Sequence, residues 1–260
     1  MHPAIINDLG EMLYKAHVTR IPLMPYTSVY QDITCEEAYR IQRVMIEQYE
    51  KGGYTVSGKK LGYTNPSMQE ELGLTEPSYG HLFHEAYFLS GQRIPFDRFL
   101  QPGIEAEIAF IMKEDLNLLH VTETELLSAV GYVTAALEIV DTRQLRSNRT
   151  FVDSIGDNAS FGACVLGRTR VPCSEIVFEK IGVTLMKNGE ILDRGTGRSV
   201  MGSPINSMLW LANKLISQGS YLKKGDTVIS GSLVSMAPAQ KGDSFCARFD
   251  LLDEVRISFL

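Results

Sequence analysis

The sequence predicts an α+β protein in which a small N-terminal helical unit is followed by a larger β-rich body. Near the N-terminus the apolar residues recur at helical spacing, whereas later they form short runs separated by Gly and Pro. We therefore divide the chain into an N-terminal helical segment, residues 1–75, and a β-rich domain, residues 76–260.

Two helices form the predicted N-terminal unit. Between Ile5 and His17 the apolar side chains follow one helical face. The second helix begins after Thr34, because Glu37 three positions later completes a capping box, and it ends at the pair Gly52-Gly53. Both helices come before the part of the sequence in which short strand-like runs begin.

Five β-rich runs predict the strands of the body: residues 104–112, 133–141, 183–192, 226–234 and 255–260. Asn188-Gly189, inside the third run, is typical of a tight hairpin, because both central positions of a type I′ turn need positive φ. Two further helices interrupt the strands. One is capped by Thr122 and Glu125, and the other runs from Ser203 to Gly219.

Composition excludes several classes of protein. The formal net charge is -6 with acids and bases intermixed, so there is no basic stripe for a nucleic acid. No stretch approaches the roughly 20 apolar residues of a membrane span. The first residues include acids where a signal peptide is basic and then apolar, so we expect a cytoplasmic protein without a membrane partner. Four scattered cysteines predict free thiols.

Three glutamates are the strongest candidates for chemistry. Glu105 and Glu107 lie two positions apart in an apolar run, so on a strand they point to the same face. A strand face that meets water is the alternative. Glu138 lies between Leu137 and Ile139 in another apolar run, where burying a carboxylate is costly without a cation. Three carboxylates with few nearby bases suit Mg²⁺ or Mn²⁺.

Two other stretches are weaker candidates. Lys59 and Lys60 are flanked by glycines, which predicts a turn that could hold a lysine against a pocket and lower its pKa for acid–base work. A solvated lysine pair is the alternative. Residues 230–233 follow a strand, and the backbone N–H groups of Gly231 and Ser232 could receive a substrate carboxylate. An ordinary turn would explain them equally well.

Seven stretches in order carry a resemblance to a known family. They are "GKKLGYT", "EPSYGHLF", "QPGIEAEIAF", "ALEIVDTR", "DNASFG", "MGSPINSMLWLANKL" and "ISGSLV". Together they resemble the 2-hydroxypentadienoate (2-keto-4-pentenoate) hydratase and 4-oxalocrotonate decarboxylase family of aromatic meta-cleavage pathways. That family is related to the fumarylacetoacetate hydrolase fold, and the resemblance extends over nearly the whole chain.

The resemblance implies a fumarylacetoacetate hydrolase-like body and specific residue roles. It implies that the metal ligands are Glu105, Glu107 and Glu138, and that the ion is Mg²⁺ or Mn²⁺. It also implies that Lys60 transfers a proton and that Ser160 is a polar residue of the catalytic pocket. Asp141, which follows the second glutamate strand, we interpret as a strand-end or supporting residue and not as a metal ligand.

The implied activity is that of a lyase on a small 2-oxo or 2-hydroxy dienoic acid. We expect water to be added to a 2-hydroxy-2,4-dienoate, giving a 4-hydroxy-2-oxo acid. A 4-oxalocrotonate-type decarboxylase is the alternative, because the family's hydratases usually carry Asp where this chain has Ser78. We place Ser78 among the substrate-binding residues. Arg198 is either a receptor for a second substrate carboxylate or an exposed loop arginine.

Other activities and partners also remain open. An acylpyruvate-type hydrolase would use the same metal but needs a water-activating base, and no His-Glu pair is clearly placed for that role. A non-catalytic metal-binding protein would tolerate the loss of Lys60. The resemblance further implies a homo-oligomer and the possibility of association with a pathway partner enzyme.

Overall fold

The structure, a computed structural model, describes residues 1–260 and contains both predicted parts. The six α-helices are α1 (Pro3–Thr19), α2 (Cys35–Lys51), α3 (Pro66–Leu72), α4 (Glu123–Ala129), α5 (Phe151–Gly156) and α6 (Pro204–Ser217). The first seven strands are β1 (Val56–Gly62), β2 (Ser78–Phe83), β3 (Tyr87–Leu89), β4 (Arg93–Ile94), β5 (Gly103–Met112), β6 (Val130–Val140) and β7 (Phe161–Leu166). The others are β8 (Gly182–Lys187), β9 (Glu190–Thr196), β10 (Thr227–Ile229), β11 (Ala237–Pro238), β12 (Ser244–Phe249) and β13 (Asp253–Phe259). The α+β class is confirmed.

The N-terminal unit consists of α1 packed against α2. The predicted capping box at the start of α2 is present, since Thr34 and Glu37 each bond to the other's backbone N–H. Gln42, on the buried face of α2, donates to the carbonyl oxygens of Tyr79 and Ile155 at 3.0 and 2.7 Å. These bonds join the helical unit to β2 and α5, so the unit is packed onto the body.

Two sheets form the body. An eight-stranded sheet has the order β2-β1-β10-β5-β6-β7-β3, and β11 pairs with β5 outside this path. A five-stranded sheet has the order β4-β13-β12-β8-β9. The predicted hairpin joins β8 to β9, and Asn188 and Gly189 have φ of 54° and 88°, as a type I′ turn requires. No helix combines the length and the apolar character needed to cross a membrane.

The predicted turn at Lys59 and Lys60 is wrong, because both residues lie on β1. This strand pairs with β2 on one side and β10 on the other, and both lysines are buried. The flanking glycine permits close packing: a Cβ added to Gly58 would lie 1.9 Å from the Thr227 carbonyl oxygen on β10. The domain boundary at residue 75 stays a prediction, and β1, which precedes it, pairs within the large sheet.

A buried arginine orders the chain between α5 and β7. Arg143 is 1% exposed, and its Nε lies 2.5 Å from Asp157 Oδ1. Its other nitrogens donate to the carbonyl oxygens of Asp157 and Phe161 at 2.5 and 2.6 Å. Arg149 adds a second ion pair to Asp157 at 3.2 Å. The guanidinium of Arg143 therefore ties both ends of residues 157–161 to one point.

Replacing Asp157 with Asn should destabilise the protein by about 3 kcal/mol or more, because it leaves the charge of Arg143 buried and unpaired. Urea unfolding followed by circular dichroism measures this loss. Lys214→Met is the matched control, since it removes the partly exposed ion pair of Lys214 with Glu76. That change should cost less than about 1 kcal/mol, and equal losses in both variants would contradict a structural role for the buried pair.

Candidate metal and proton-transfer site

Glu105, Glu107 and Glu138 come together on the central strands of the large sheet. Glu105 on β5 lies directly opposite Glu138 on β6, and Glu107 follows two residues later on the same face of β5. Carboxylate oxygens of the three residues all lie within 4.8 Å of one another. The alternation of side chains along a strand correctly placed Glu105 and Glu107 on one face. The antiparallel pairing of β5 with β6 then places Glu138 beside them.

These carboxylates are buried with few hydrogen-bond partners. Glu107 and Glu138 are fully buried, and Glu105 is partly exposed. Glu107 Oε1 and both oxygens of Glu138 accept no hydrogen bond. Glu107 Oε2 accepts one from the Gly231 N–H at 2.8 Å. Since orphaned oxygens on buried carboxylates are costly, the cluster needs a cation.

Lys60 is the one cation that the strands place against the cluster. Its Nζ lies 3.0 Å from Glu138 Oε1, an ion pair without hydrogen-bond alignment, and donates to the Ala159 carbonyl oxygen at 3.0 Å. The side chain is 3% exposed. Three carboxylates and one ammonium leave two negative charges in a buried space.

The pKa shifts of these residues reflect the same excess of negative charge. Burial, with repulsion from Glu138, raises the pKa of Glu107 well above its usual value, and burial raises that of Glu138 to about 7 despite the nearby Lys60. Burial alone would lower the pKa of Lys60, but the three carboxylates together outweigh it and raise that pKa. The expectation of a lowered pKa is therefore wrong for Lys60 in the protein by itself, whereas burial lowers the pKa of Lys59 to about 8.

The donor set fits a hard divalent cation. All candidate ligand atoms are carboxylate oxygens, and one divalent charge balances the two negative charges left by Lys60. The orphaned oxygens of Glu107 and Glu138 are free to act as ligands. A cation held there would also repel the ammonium and pull the pKa of Lys60 back down.

Ser78 lies beside Lys60, although it belongs to another strand. A Cβ added to Gly62 would lie 3.0 Å from Ser78 Oγ and 3.8 Å from Lys60 Nζ, so both groups border the same point. Ser78 is fully buried, and its hydroxyl has no hydrogen-bond partner in the protein. The structure therefore places Ser78 near Lys60, and the Ser78 hydroxyl is still able to donate and accept a hydrogen bond.

A left-handed segment supplies the carbonyl that holds Lys60. Asn158, Ala159 and Ser160 have φ of 51°, 47° and 61°, a conformation that L-residues adopt at a cost. The Asn158 side chain fixes the segment by exchanging two hydrogen bonds with the His81 backbone, at 2.7 and 2.9 Å. Ser160, predicted for the pocket, is the buried last residue of this segment. The sequence held no signal for the role of Ala159.

The segment after β10 supports the carboxylates from the other side. Gly231 has φ of 97°, and a Cβ there would lie 2.2 Å from Thr64 Oγ1. Its N–H is bonded to Glu107, so this donor is already engaged. Ser232 borders an open cleft above Glu105. Substrate binding by Gly231 and Ser232 remains a prediction. Asp141 accepts the backbone N–H groups of Leu100 and Gln101, as expected for a supporting residue.

The cleft above Glu105 has a volume of about 380 Å³. It lies between residues 61–65, the N-terminal part of α3, β9 and residues 232–236. Arg194 on β9 is the only cationic residue among those that line it, whereas Arg198 lies outside it. The sequence left Arg198 open as a carboxylate receptor or an exposed loop arginine, and in the structure it is exposed.

Comparisons with known proteins agree on one family. Residues 54–256 match the family model described as Fumarylacetoacetate (FAA) hydrolase C-terminal. A 2-keto-4-pentenoate hydratase of Paraburkholderia xenovorans (strain LB400) is 34% identical over 259 residues, which cover 100% of this chain and 96% of the relative. A 2-oxo-hept-4-ene-1,7-dioate hydratase of Escherichia coli is 31% identical, with 97% of each chain covered.

A solved structure extends the likeness to the whole fold. The 4-oxalocrotonate decarboxylase from Pseudomonas putida G7, complexed with magnesium and adipate, has a TM-score of 0.94 and 25% identity to this chain. The alignment covers 100% of this chain and 99% of the decarboxylase. The helical unit and both sheets are thus shared with that enzyme.

Glu107→Gln should lower Mg²⁺ affinity more than about 100-fold, because it removes one charged ligand from the cluster. Titration calorimetry with Mg²⁺ measures the affinity, and circular dichroism checks that the fold is kept. Glu114→Gln, an exposed change beyond the end of β5, is the control. If Glu107→Gln binds Mg²⁺ as tightly as the unchanged protein, this residue is not a ligand.

The metal-free protein should lose the contribution of Glu138 to stability as pH rises from 5 to 8. The folded-state pKa of Glu138 is raised from 4.5 to about 7, so the folded state holds a proton that the unfolded state releases. Stability from this group is complete below the unfolded pKa and disappears as pH rises through about 7.

Urea unfolding of the unchanged protein and Glu138→Gln in EDTA, at several pH values, measures this effect. The unfolding free energy of the unchanged protein should fall relative to that of the variant as pH rises, because the amide does not titrate. Mg²⁺ should reduce the fall. A difference independent of pH would contradict a raised pKa at Glu138.

Proposed function

The chain belongs to the fumarylacetoacetate hydrolase family, and from this premise we propose that it is a metal-dependent lyase that hydrates a 2-hydroxy-2,4-dienoate. The product is a 4-hydroxy-2-oxo acid, as in the catabolism of aromatic compounds by meta-cleavage. The observation that carries the proposal is the buried glutamate cluster beside Lys60, in a chain 34% identical to a 2-keto-4-pentenoate hydratase over its whole length.

In this proposal Glu105, Glu107 and Glu138 hold Mg²⁺ or Mn²⁺. Bound there, such an ion supplies Lewis acidity for the C2 oxygen and carboxylate of the substrate. Glu105 is the member of the cluster that borders the cleft, so substrate oxygens reach the site from that side. Gly231 keeps Glu107 oriented through its N–H, and Ser232 contributes to the cleft wall where the substrate binds.

Lys60 moves the proton. Converting the dienol to an α,β-unsaturated 2-oxo acid removes a proton from the C2 hydroxyl and adds one at C5. The ammonium of Lys60 is held between Glu138 and the Ala159 carbonyl, which gives Nζ a defined position for this transfer. Water then adds at C4, and a proton is added at C3.

The unused hydroxyl of Ser78 and the nearby Ser160 complete the polar wall in this proposal. Ser78 Oγ borders the same point as Lys60 Nζ and has a free donor and acceptor for a substrate oxygen or a water molecule. Ser160 is placed by the left-handed segment that also holds Lys60. Neither hydroxyl is a strong base at neutral pH, so they bind and orient.

A 4-oxalocrotonate-type decarboxylation is the second candidate. Two observations favour it: the TM-score of 0.94 to the decarboxylase from Pseudomonas putida G7, and the presence of serine at position 78 where the hydratases usually carry an acid. The same residues would serve, with loss of CO₂ in place of water addition. An acylpyruvate-type hydrolase would need a base that activates water, and a non-catalytic metal-binding protein would have no need of Lys60.

We also propose that the protein is a cytoplasmic homo-oligomer and can associate with a pathway partner enzyme. Exposed apolar residues near the end of α1 support a protein–protein contact, since Val18, Ile21 and Met24 are 58%, 64% and 61% exposed.

Proton NMR of reactions with Mg²⁺ tests the function directly. With 2-hydroxypenta-2,4-dienoate we expect 4-hydroxy-2-oxopentanoate, because water adds at C4. Release of CO₂ from 2-oxo-3-hexenedioate, with no hydration of either acid, would replace the hydratase by the decarboxylase. Lys60→Met should reduce turnover at least about 100-fold while Mg²⁺ binding persists. Lys59→Met, on the opposite face of β1, is the control.

A further inference from the structure

We propose that a small cavity at the C-terminal end of α1 binds one small monovalent anion, of the size of chloride or formate. The cavity is separate from the metal site. Ala163 lines it and lies on the face of β7 opposite to Cys164, and Cys164 is the residue that pairs with Glu138. The anion site therefore does not depend on the proposed enzymatic function.

Two arginines supply positive charge at the cavity. The guanidinium of Arg20 donates to the carbonyl oxygen of His17, and its Nη1 lies 3.1 Å from His17 Nδ1. The Cζ of Arg98 lies 5.1 Å from the centre of the Phe88 ring. His17 and Phe88 both line the cavity, so these contacts place both guanidiniums at its wall. Neither arginine forms an ion pair within the protein.

Asp141 is the only acid in the lining of the cavity. Its carboxylate already accepts the backbone N–H groups of Leu100 and Gln101, at 2.9 and 2.7 Å. Two guanidiniums and one carboxylate leave a single positive charge at the cavity. One monovalent anion would balance it, and a guanidinium is well suited to bind such an ion.

The surroundings of His17 show that positive charge prevails there. Burial, followed by the charges of Arg143, Arg20 and Arg98, lowers the pKa of His17 to about 3, so the ring is neutral at pH 7. Since Nδ1 faces the donor on Arg20, Nε2 carries the ring proton and faces the hydroxyl oxygen of Tyr54 at 3.4 Å. The Tyr54 O–H is then left to donate to an anion.

The size and the walls of the cavity favour a small ion. Its volume is about 30 Å³, enough for about two water-sized atoms, which is too little for an aromatic acid or a phosphate ester. Aromatic side chains form most of the wall, and their low polarity strengthens the attraction between a guanidinium and an anion. They are Tyr49, Tyr54, Phe83, Phe88, Phe99 and Phe161. Arg98 is exposed, so an ion can enter from solvent on its side.

The line width of the chloride NMR signal tests this site directly. Chloride replaces gluconate, which is too large for the cavity, at constant ionic strength and with Mg²⁺ present. The unchanged protein is compared with Arg98→Gln, Arg98→Lys and Arg93→Gln. Arg93 is the matched control, because it is an exposed arginine on β4 that does not line the cavity. Formate is then added to each sample as a competitor.

We expect saturable broadening for the unchanged protein and for Arg93→Gln. Arg98→Gln should weaken chloride binding by about tenfold, because it removes one of the two cations that hold the ion. Arg98→Lys keeps the charge and should lose less affinity than Arg98→Gln. Displacement of chloride by formate would show that small carboxylates also bind, whereas retention of chloride would restrict the site to halides.

Thermal unfolding gives a second measurement that does not involve activity. Chloride in place of gluconate should raise the Tm of the unchanged protein and of Arg93→Gln more than that of Arg98→Gln, since only a bound anion stabilises the folded state in this way. Broadening that does not saturate, or chloride affinities and Tm shifts that are the same in Arg98→Gln and the unchanged protein, would overturn the proposal.

Discussion

The charge held inside the large sheet is the constraint on which this site depends. Glu105 and Glu138 face each other across β5 and β6, and Glu107 follows on the same face. Lys60 offsets one of the three charges, so burial remains unfavourable until a cation is bound. The cost of burying these carboxylates would destabilise a protein without a metal. The same cost makes the cluster a strong binding site for a divalent ion, because the ion removes it.

Irregular backbone near the cluster provides a carbonyl group that holds Lys60 and that the strands do not supply. The left-handed segment from Asn158 to Ser160 turns the Ala159 carbonyl towards Lys60, and positive φ at such residues costs roughly 1–2 kcal/mol each. The bonds of Asn158 to β2 and the buried pair of Arg143 with Asp157 hold the segment in place. Distant residues thereby position the amine.

Local patterns predicted the positions of β5, β6, β8, β9, β10 and β13 and of two glutamates of the site, but not the other strands, and the predicted run 226–234 is a strand only at Thr227–Ile229. The spacing of Glu105 and Glu107 follows from strand periodicity, and the capping box at Thr34 is a contact between near neighbours, so both can be read from short stretches. The structural context of Lys60 could not be read locally. Its flanking glycines indicate a turn in isolation, and only the pairing of β1 with β10 shows that they permit close strand contact.

Ser78 affects both the net charge of the site and the roles that are left to its other residues. An acid at this point would add a negative charge beside Lys60 and raise the amine's pKa further, and it could also act as a base for water. Serine adds no charge, so after a divalent ion is bound the carboxylates and Lys60 leave the site close to neutral. In the proposed reaction Lys60 is then left as the proton-transfer group, because the glutamates hold the ion. The hydroxyl of Ser78 is left to orient the water or the substrate.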